Sequence, residues 1–190
     1  MKKAIFLDRD GVINDEIYQK NLNEFTAPLN PKQVKIEKKN LVSLKRISNE
    51  DFLLFVISNQ PDYALGRTTK KNLSMVHKKI KKILKNNSIF IKEFFYSFKH
   101  PKSKKKNYGK PCFDRKPNPY FLLKAKKKYN LDISNSWMIG DRPTDTQCGR
   151  NAGAKTIGVK NKNFLYKRKD YNPTYFSKNL SEALNYILKK

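Results

Sequence analysis

The sequence predicts an α/β fold: one mostly parallel sheet with helices on both faces. Three observations carry this. Short continuous apolar runs such as AIFL and FLLFVIS recur along the chain, as expected of strands buried on both faces. Segments with helical spacing of apolar residues lie between them, and alternation of the two types implies parallel strands joined by helical crossovers. Polar and charged residues follow the ends of successive strands, which is where open parallel sheets place their ligands.

Taken in order, Ala4–Leu7 is the first strand, followed by a loop through Asn30-Pro31. Leu41–Asn49 carries helical spacing, and Phe52–Gln60 is a second strand ending in polar residues. An amphipathic helix starts near Thr68 and runs to Asn86-Asn87, with Leu73, Val76, Ile80, Ile83 and Leu84 on its inner stripe. Thr68 or Thr69 suits its N-cap. Ile89–Phe98 is a third strand, Lys99–Asp114 a basic loop, and Pro117–Asn130 a helix with proline in its first turn. Ser136–Asp141 is a fourth strand, and Thr144–Ala152 a short helix stopped by Gly153. Lys155–Val159 is a fifth strand, and Leu180–Lys190 closes the chain as a helix capped by Ser181.

At 190 residues the chain is sized for one domain. It carries 42 Lys plus Arg against 16 Asp plus Glu. That excess has two readings: affinity for polyanions, or compositional drift toward Lys and Asn on neutral surfaces. Only Cys112 and Cys148 are present, so no disulfide framework is expected. The basic start is followed by an apolar stretch that ends at Asp8, short of a signal-peptide core. No run reaches the roughly 18 apolar residues of a membrane span. A soluble, cytoplasmic monomer with no membrane partner is expected.

The chemistry sits in FLDRDGVIND. Asp8 and Asp10 leave the first strand two residues apart and, in extended geometry, share a side. Such close carboxylates repel unless a cation sits between them. Asp141 follows the fourth strand, with Asp145 a turn later. An oxygen-rich cluster of this kind suits Mg²⁺, which can present a phosphoryl group to one aspartate. One aspartate can then attack phosphorus while the other moves protons. Ser58 can donate to phosphate oxygens, and Lys116 can supply positive charge. Asp145 has two readings, a residue of the metal site or a first-turn helix acid.

FLDRDGVIN, ISNQ, RKPNP and MIGDRPTD, in this order at strand ends, resemble the four motifs of the haloacid dehalogenase-like (HAD) phosphatases. The spelling of the first and third most resembles the subfamily of D-glycero-D-manno-heptose 1,7-bisphosphate phosphatases and histidinol phosphatases. The resemblance implies a single Rossmann-like, HAD-type phosphatase domain over residues 1–190. It implies Asp8 as nucleophile and Asp10 as general acid/base. It further implies Mg²⁺ on Asp8, Asp141 and the main-chain carbonyl of Asp10, and phosphate on Ser58 and Lys116. Asn59, Arg115 and Arg142 become candidate substrate contacts, and a small phosphorylated sugar the substrate. Polynucleotide 3′-phosphatase and histidinol-phosphate phosphatase are the alternatives, so nucleic acid is a second candidate partner.

The stretches between motifs are too short for a cap domain. The cleft is therefore expected to be open, with specificity set by Asp15–Pro31 and Lys99–Asp114. The subfamily's zinc loop has Ser97, Lys99, Cys112 and Asp114 at its ligand positions here. One thiol does not make a structural zinc site, so Zn²⁺ is not expected. His100, Cys112 and Asp114 are a weaker alternative set. His77 and Cys148 are expected to be structural.

Overall fold

The computed structural model of the chain describes residues 1–164 and 171–190. Six strands form one sheet: β1 (Lys3–Leu7), β4 (Phe52–Asn59), β5 (Glu93–Ser97), β6 (Trp137–Gly140), β7 (Lys155–Val159) and β8 (Tyr175–Ser177). Their order is β5-β4-β1-β6-β7-β8, and every neighbouring pair is parallel. The chain winds outward from β1 in one direction, then returns to β6 and winds the other way. The crevice between β1 and β6 is thus the topological switch point, the place where such sheets bind ligands.

Alternation along the strands explains the continuous apolar runs. Ile5 and Leu7 of β1, Leu54 and Val56 of β4, and Ile139 of β6 face one core. That core is closed by α1 (Lys38–Ser48), α2 (Lys70–Asn86) and α5 (Leu180–Leu188) through Leu44, Ile80 and Leu184. Ala4, Phe6, Phe55, Ile57 and Met138 face the other, closed by α3 (Tyr120–Tyr129) and α4 (Pro143–Ala152) through Leu122, Ala125 and Cys148. Side chains of successive strand residues point to opposite faces, so a strand sandwiched between helices must be apolar at every position.

Several local expectations change. The Asp15–Pro31 loop contains an antiparallel hairpin, β2 (Ile17–Gln19) with β3 (Glu24–Thr26). The third predicted strand is shorter, Glu93–Ser97. The sixth strand, β8, is an edge strand of three residues with Phe176 half exposed, so it carries no apolar run. The last helix is capped not by Ser181 but by Asn179, whose side chain accepts from Glu182 N at 2.9 Å. Thr69, not Thr68, caps α2 and accepts from Asn72 N at 3.1 Å. Among the described residues no helix is long and apolar enough to cross a membrane. Between β1 and β4 the described chain adds only the hairpin, a 3₁₀ turn and α1, so nothing like a cap domain covers the strand ends.

Candidate active site

Asp8 is the first residue beyond β1, and its N–H donates to Ile139 O at 2.9 Å, which fixes it against β6. The chain then turns back on itself: Ile13 N and Asn14 N donate to Arg9 O, and Gly11 N to Asn14 O. The turn needs glycine at position 11. Its φ is +85°, and a Cβ there would lie 2.3 Å from Asp141 Oδ2.

Lys116 brings the acids together. Its ammonium lies 2.9 Å from Asp8 Oδ1 and 2.6 Å from Asp145 Oδ1, and donates to Ile57 O at 2.9 Å. Asn59 clamps the Lys116 backbone, accepting from its N–H at 3.1 Å and donating to its carbonyl at 3.2 Å. Lys116 is 3% exposed, and Asp141 and Asp145 are fully buried. Burial works against the Lys116 charge, but Asp145 and Asp8 outweigh it and hold the lysine pKa above its usual value. Burial pushes the Asp8 carboxyl up to about 6, with Lys116 pulling it down and Asp145 and Asp10 adding to the rise.

Asp8, Asp141 and Asp145 each present an oxygen within 4.8 Å of the others, the arrangement of a site for an ion. Burial, then Asp8, Asp145 and Glu16, push the Asp141 carboxyl well above the usual range. Its Oδ1 is buried with no hydrogen-bond partner, a cost of about 1–3 kcal/mol unless a ligand meets it. Asn161 donates to Asp141 Oδ2 and, at 3.1 Å, to Glu16 Oε2. An all-oxygen donor set with an orphaned carboxylate oxygen fits a hard divalent cation such as Mg²⁺. The first-turn reading of Asp145 is observed, its other oxygen accepting from Arg142 N at 2.9 Å and capping α4, while its place in the three-acid cluster is compatible with the metal-site reading.

Asp10 is held separately, and its carboxylate is not part of the three-acid cluster. It accepts from both sides: Arg9 Nε at 3.1 Å, Asn14 Nδ2 at 2.9 Å and Gln60 Nε2 at 2.6 Å. Gln60 also donates to Ser58 Oγ at 2.9 Å, leaving the Ser58 O–H to donate elsewhere. Arg9 and Gln60 form a buried frame, Arg9 Nη2 donating to Gln60 Oε1 at 2.6 Å. Arg9, Gln60, Asn14, Glu16 and Asn161 were not singled out by sequence reasoning. The first four lie within or beside its motifs.

Asp8, Asp10, Ser58, Asn59, Arg115, Lys116, Arg142 and Asp145 all line one cleft of about 470 Å³. Asn59, a candidate substrate contact, also holds the Lys116 backbone through both of its side-chain polar atoms. Arg115 donates to Lys99 O at 3.2 Å, and Arg142 pairs with Glu16. The hairpin supplies a wall, with Arg67 tying Glu24 of β3 to Asp62 across it.

Residues 99–114 border the cleft without lining it: Lys99 O accepts from Arg115, which does line it. Lys104 N and Ser103 Oγ donate to Ala64 O, and the Tyr108 ring packs edge-on against Tyr63 at 5.0 Å, so the middle of the loop is held against residues 63–64. Two of the positions that resemble zinc ligands are joined directly, Ser97 Oγ donating to Asp114 Oδ1 at 3.0 Å, while Lys99 Nζ donates to Pro111 O at 3.0 Å. An ammonium and a carboxylate engaged by a hydroxyl do not fit a zinc tetrad. His100 accepts from Lys102 N at 3.1 Å in a local turn. His77 bonds Tyr96 OH through Nδ1 at 2.9 Å, and Cys148 is buried, its thiol pushed up to about 12 by burial.

A parallel sheet that delivers an aspartate pair after β1, a serine at the end of β4, a lysine before α3 and an aspartate after β6 is the arrangement of an HAD-like hydrolase. Residues 113–183 match the HAD-hydrolase-like family model. The chain is 32% identical over 152 residues to a D-glycero-alpha-D-manno-heptose-1,7-bisphosphate 7-phosphatase of Photorhabdus laumondii, across 80% of this chain and 78% of that protein. The chain belongs to the heptose-1,7-bisphosphate 7-phosphatase family of HAD-like phosphatases. It is also 30% identical to the D-glycero-beta-D-manno-heptose-1,7-bisphosphate 7-phosphatase of Pasteurella multocida, over 84% of this chain and 83% of that one. Its fold is similar to that of a D,D-heptose 1,7-bisphosphate phosphatase from B. bronchiseptica, solved with magnesium and phosphate. The TM-score is 0.80, at 22% identity over 98% of both chains.

Replacing Gly11 by Ala should drive a methyl group into Asp141. The expected result is about 10–100-fold weaker Mg²⁺ activation with a stability loss of about 1–3 kcal/mol. Mg²⁺ titration of activity and thermal denaturation measure both. Unchanged half-saturation by Mg²⁺ would show that Asp141 does not need its present position.

Proposed function

We propose that residues 1–190 form one Mg²⁺-dependent phosphatase domain that removes the 7-phosphate of D-glycero-D-manno-heptose 1,7-bisphosphate, as a cytoplasmic monomer. The observation that carries the chemistry is the Lys116 ammonium set between Asp8 and Asp145 beside the orphaned Asp141 oxygen. The kinship to heptose bisphosphate phosphatases carries the substrate. Two free thiols suit a reducing compartment.

In this reading a carboxylate oxygen of Asp8 attacks phosphorus, and the bond from phosphorus to the sugar oxygen breaks. The proton of Asp10 goes to that leaving oxygen. The resulting aspartyl-phosphate on Asp8 is then opened by water. Asp10 takes the water proton, the water oxygen joins phosphorus, and Asp8 is released. Ser58 donates to a non-bridging oxygen, while Lys116, its three N–H groups directed at Asp8, Asp145 and Ile57 O, contributes its positive charge beside the transferring group. A Mg²⁺ ion held by Asp8, Asp141 and the Asp10 carbonyl, with Asp145 alongside, would neutralise charge on the transferring group. Gln60, Asn14 and Arg9 keep the Asp10 carboxylate oriented, which matters because it must serve both proton transfers.

Charge on the cleft wall favours a small substrate over a polynucleotide. Glu24, Asp62 and Glu16 line it beside the cations, so it is not the uniformly basic groove that a nucleic-acid backbone selects. The test is steady-state hydrolysis of heptose 1,7-bisphosphate, histidinol phosphate and a 3′-phosphorylated oligonucleotide, each with and without Mg²⁺. The heptose should have the highest kcat/KM. A preference for the oligonucleotide, with binding that weakens steeply in salt, would replace this reading.

The 99–114 loop should hold without zinc. Dialysis against a zinc-selective chelator should leave melting temperature and Mg²⁺-supported activity unchanged. Ser97→Ala should cost about 1 kcal/mol through the lost bond to Asp114. Stoichiometric zinc in the purified protein, or unfolding on chelation, would contradict the direct clasp.

A further inference from the structure

A second pocket of about 290 Å³ shares no lining residue with the catalytic cleft but includes Arg9 and Gln60, which bond Asp10. That is near the lower end of small-molecule sites, which span roughly 300–1,000 Å³. Its walls are unusually aromatic: Tyr63, Tyr96, Phe98 and Tyr108 contribute, with Phe98 38% exposed at the surface. The Lys70 ammonium stands 5.2 Å from the Tyr63 ring and 5.1 Å from the Tyr108 ring, and Lys105 lies 5.9 Å from Tyr63. Ser74 and His77 supply hydrogen-bonding groups on the α2 side. Aromatic faces with cations at the mouth are the recognition chemistry of a planar ring bearing negative charge.

The pocket floor is Arg9 and Gln60. These are the two side chains that hold Asp10, Arg9 with its guanidinium 5.4 Å from the Tyr96 ring and Gln60 with its amide 2.6 Å from Asp10 Oδ2. A ligand seated against this floor touches the frame that orients the proton-transfer group.

We propose that this pocket is a ligand site for a nucleoside-phosphate-type aromatic anion, and that its occupancy alters turnover through Arg9, Gln60 and Asp10. The second half rests on the assignment of Asp10 as acid/base. The base would lie against Phe98 and the outer side of the Tyr63–Tyr108 pair, whose rings already touch, and the phosphate would meet Lys70 and Lys105. Lys105 of the 99–114 loop thus gains a role at this pocket.

The test uses 3′,5′-cyclic AMP, a phosphodiester that a phosphomonoesterase does not consume, titrated calorimetrically into the intact protein. Adenosine supplies the ring without the charge, and inorganic phosphate the charge without the ring. Saturable binding of cyclic AMP, tighter than of adenosine, is expected. Tyr108→Leu should weaken it about tenfold or more, and the exposed Lys70→Ala about threefold, each with basal phosphatase activity retained. Asp8→Asn should leave this binding unchanged. Saturating cyclic AMP should change kcat for the sugar bisphosphate by about twofold or more. No saturable heat, or binding lost in Asp8→Asn and indifferent to both Tyr108→Leu and Lys70→Ala, would overturn the site. Binding with no change in kcat would overturn the coupling while leaving hydrolysis itself unaffected.

Discussion

Asp8→Asn should abolish phosphate release, lowering kcat by at least about 10⁴-fold, while the protein stays folded. The carboxamide is nearly isosteric, so the contacts that place the residue survive, including the 2.7 Å bond from Arg9 N. What disappears is the anionic oxygen proposed to form the bond to phosphorus. The loss of one negative charge from a buried trio also relieves repulsion. The variant should therefore melt no lower than the wild type in the absence of Mg²⁺. Measurable turnover near the wild-type rate would move the nucleophile elsewhere. A collapsed melting temperature would make Asp8 structural first.

Lys116→Met should damage both stability and activity. The lysine is the direct counter-charge to Asp8 and Asp145, and removing one partner of a buried pair typically costs about 3–5 kcal/mol. Turnover should fall by about 10²–10³-fold, since the positive charge proposed to stabilise the transferring phosphoryl group goes with it. Two further measurements separate electrostatics from packing. Excess Mg²⁺ should restore part of the stability in urea denaturation, because a cation returns to the acid cluster. Adding Asp145→Asn to Lys116→Met should also recover part of it, because one unpaired charge is removed. If neither recovers anything, Lys116 acts through its aliphatic packing. Lys116→Arg should not rescue turnover, since the site holds a compact ammonium bonded to Ile57 O at 2.9 Å.

Much of this was legible in the sequence because the informative residues are local to strand ends. A parallel strand buried on both faces must be apolar throughout, so Ala4–Leu7 and Phe52–Ile57 stand out, and the first polar residue after each marks the ligand edge. That logic reaches Asp8, Ser58 and Asp141 without coordinates. It does not reach Arg9, which lies between two recognised aspartates. Its burial depends on Gln60, 51 positions away in the chain, and on the Tyr96 ring. The sequence does not show the hold of Asn59 on Lys116, because a clamp on a backbone 57 positions away is a tertiary contact with no sequence pattern of its own. Strands β2, β3 and β8 have three residues each and bury little, so periodicity has too few positions to register. The 99–114 loop shows charge in the sequence but not direction. Its path is set by bonds to Ala64 O and by the Tyr63–Tyr108 ring pair.

The central claim is that Asp8 carries the phosphoryl group between two substitutions at phosphorus. Acid quenching during turnover of heptose 1,7-bisphosphate radiolabelled at the 7-phosphate, followed by peptide mapping, tests it most directly. The account predicts a hydroxylamine-labile label on the peptide containing Asp8, dependent on Mg²⁺ and absent in Asp8→Asn. Label on a different residue, or steady turnover by Asp8→Asn, would contradict it.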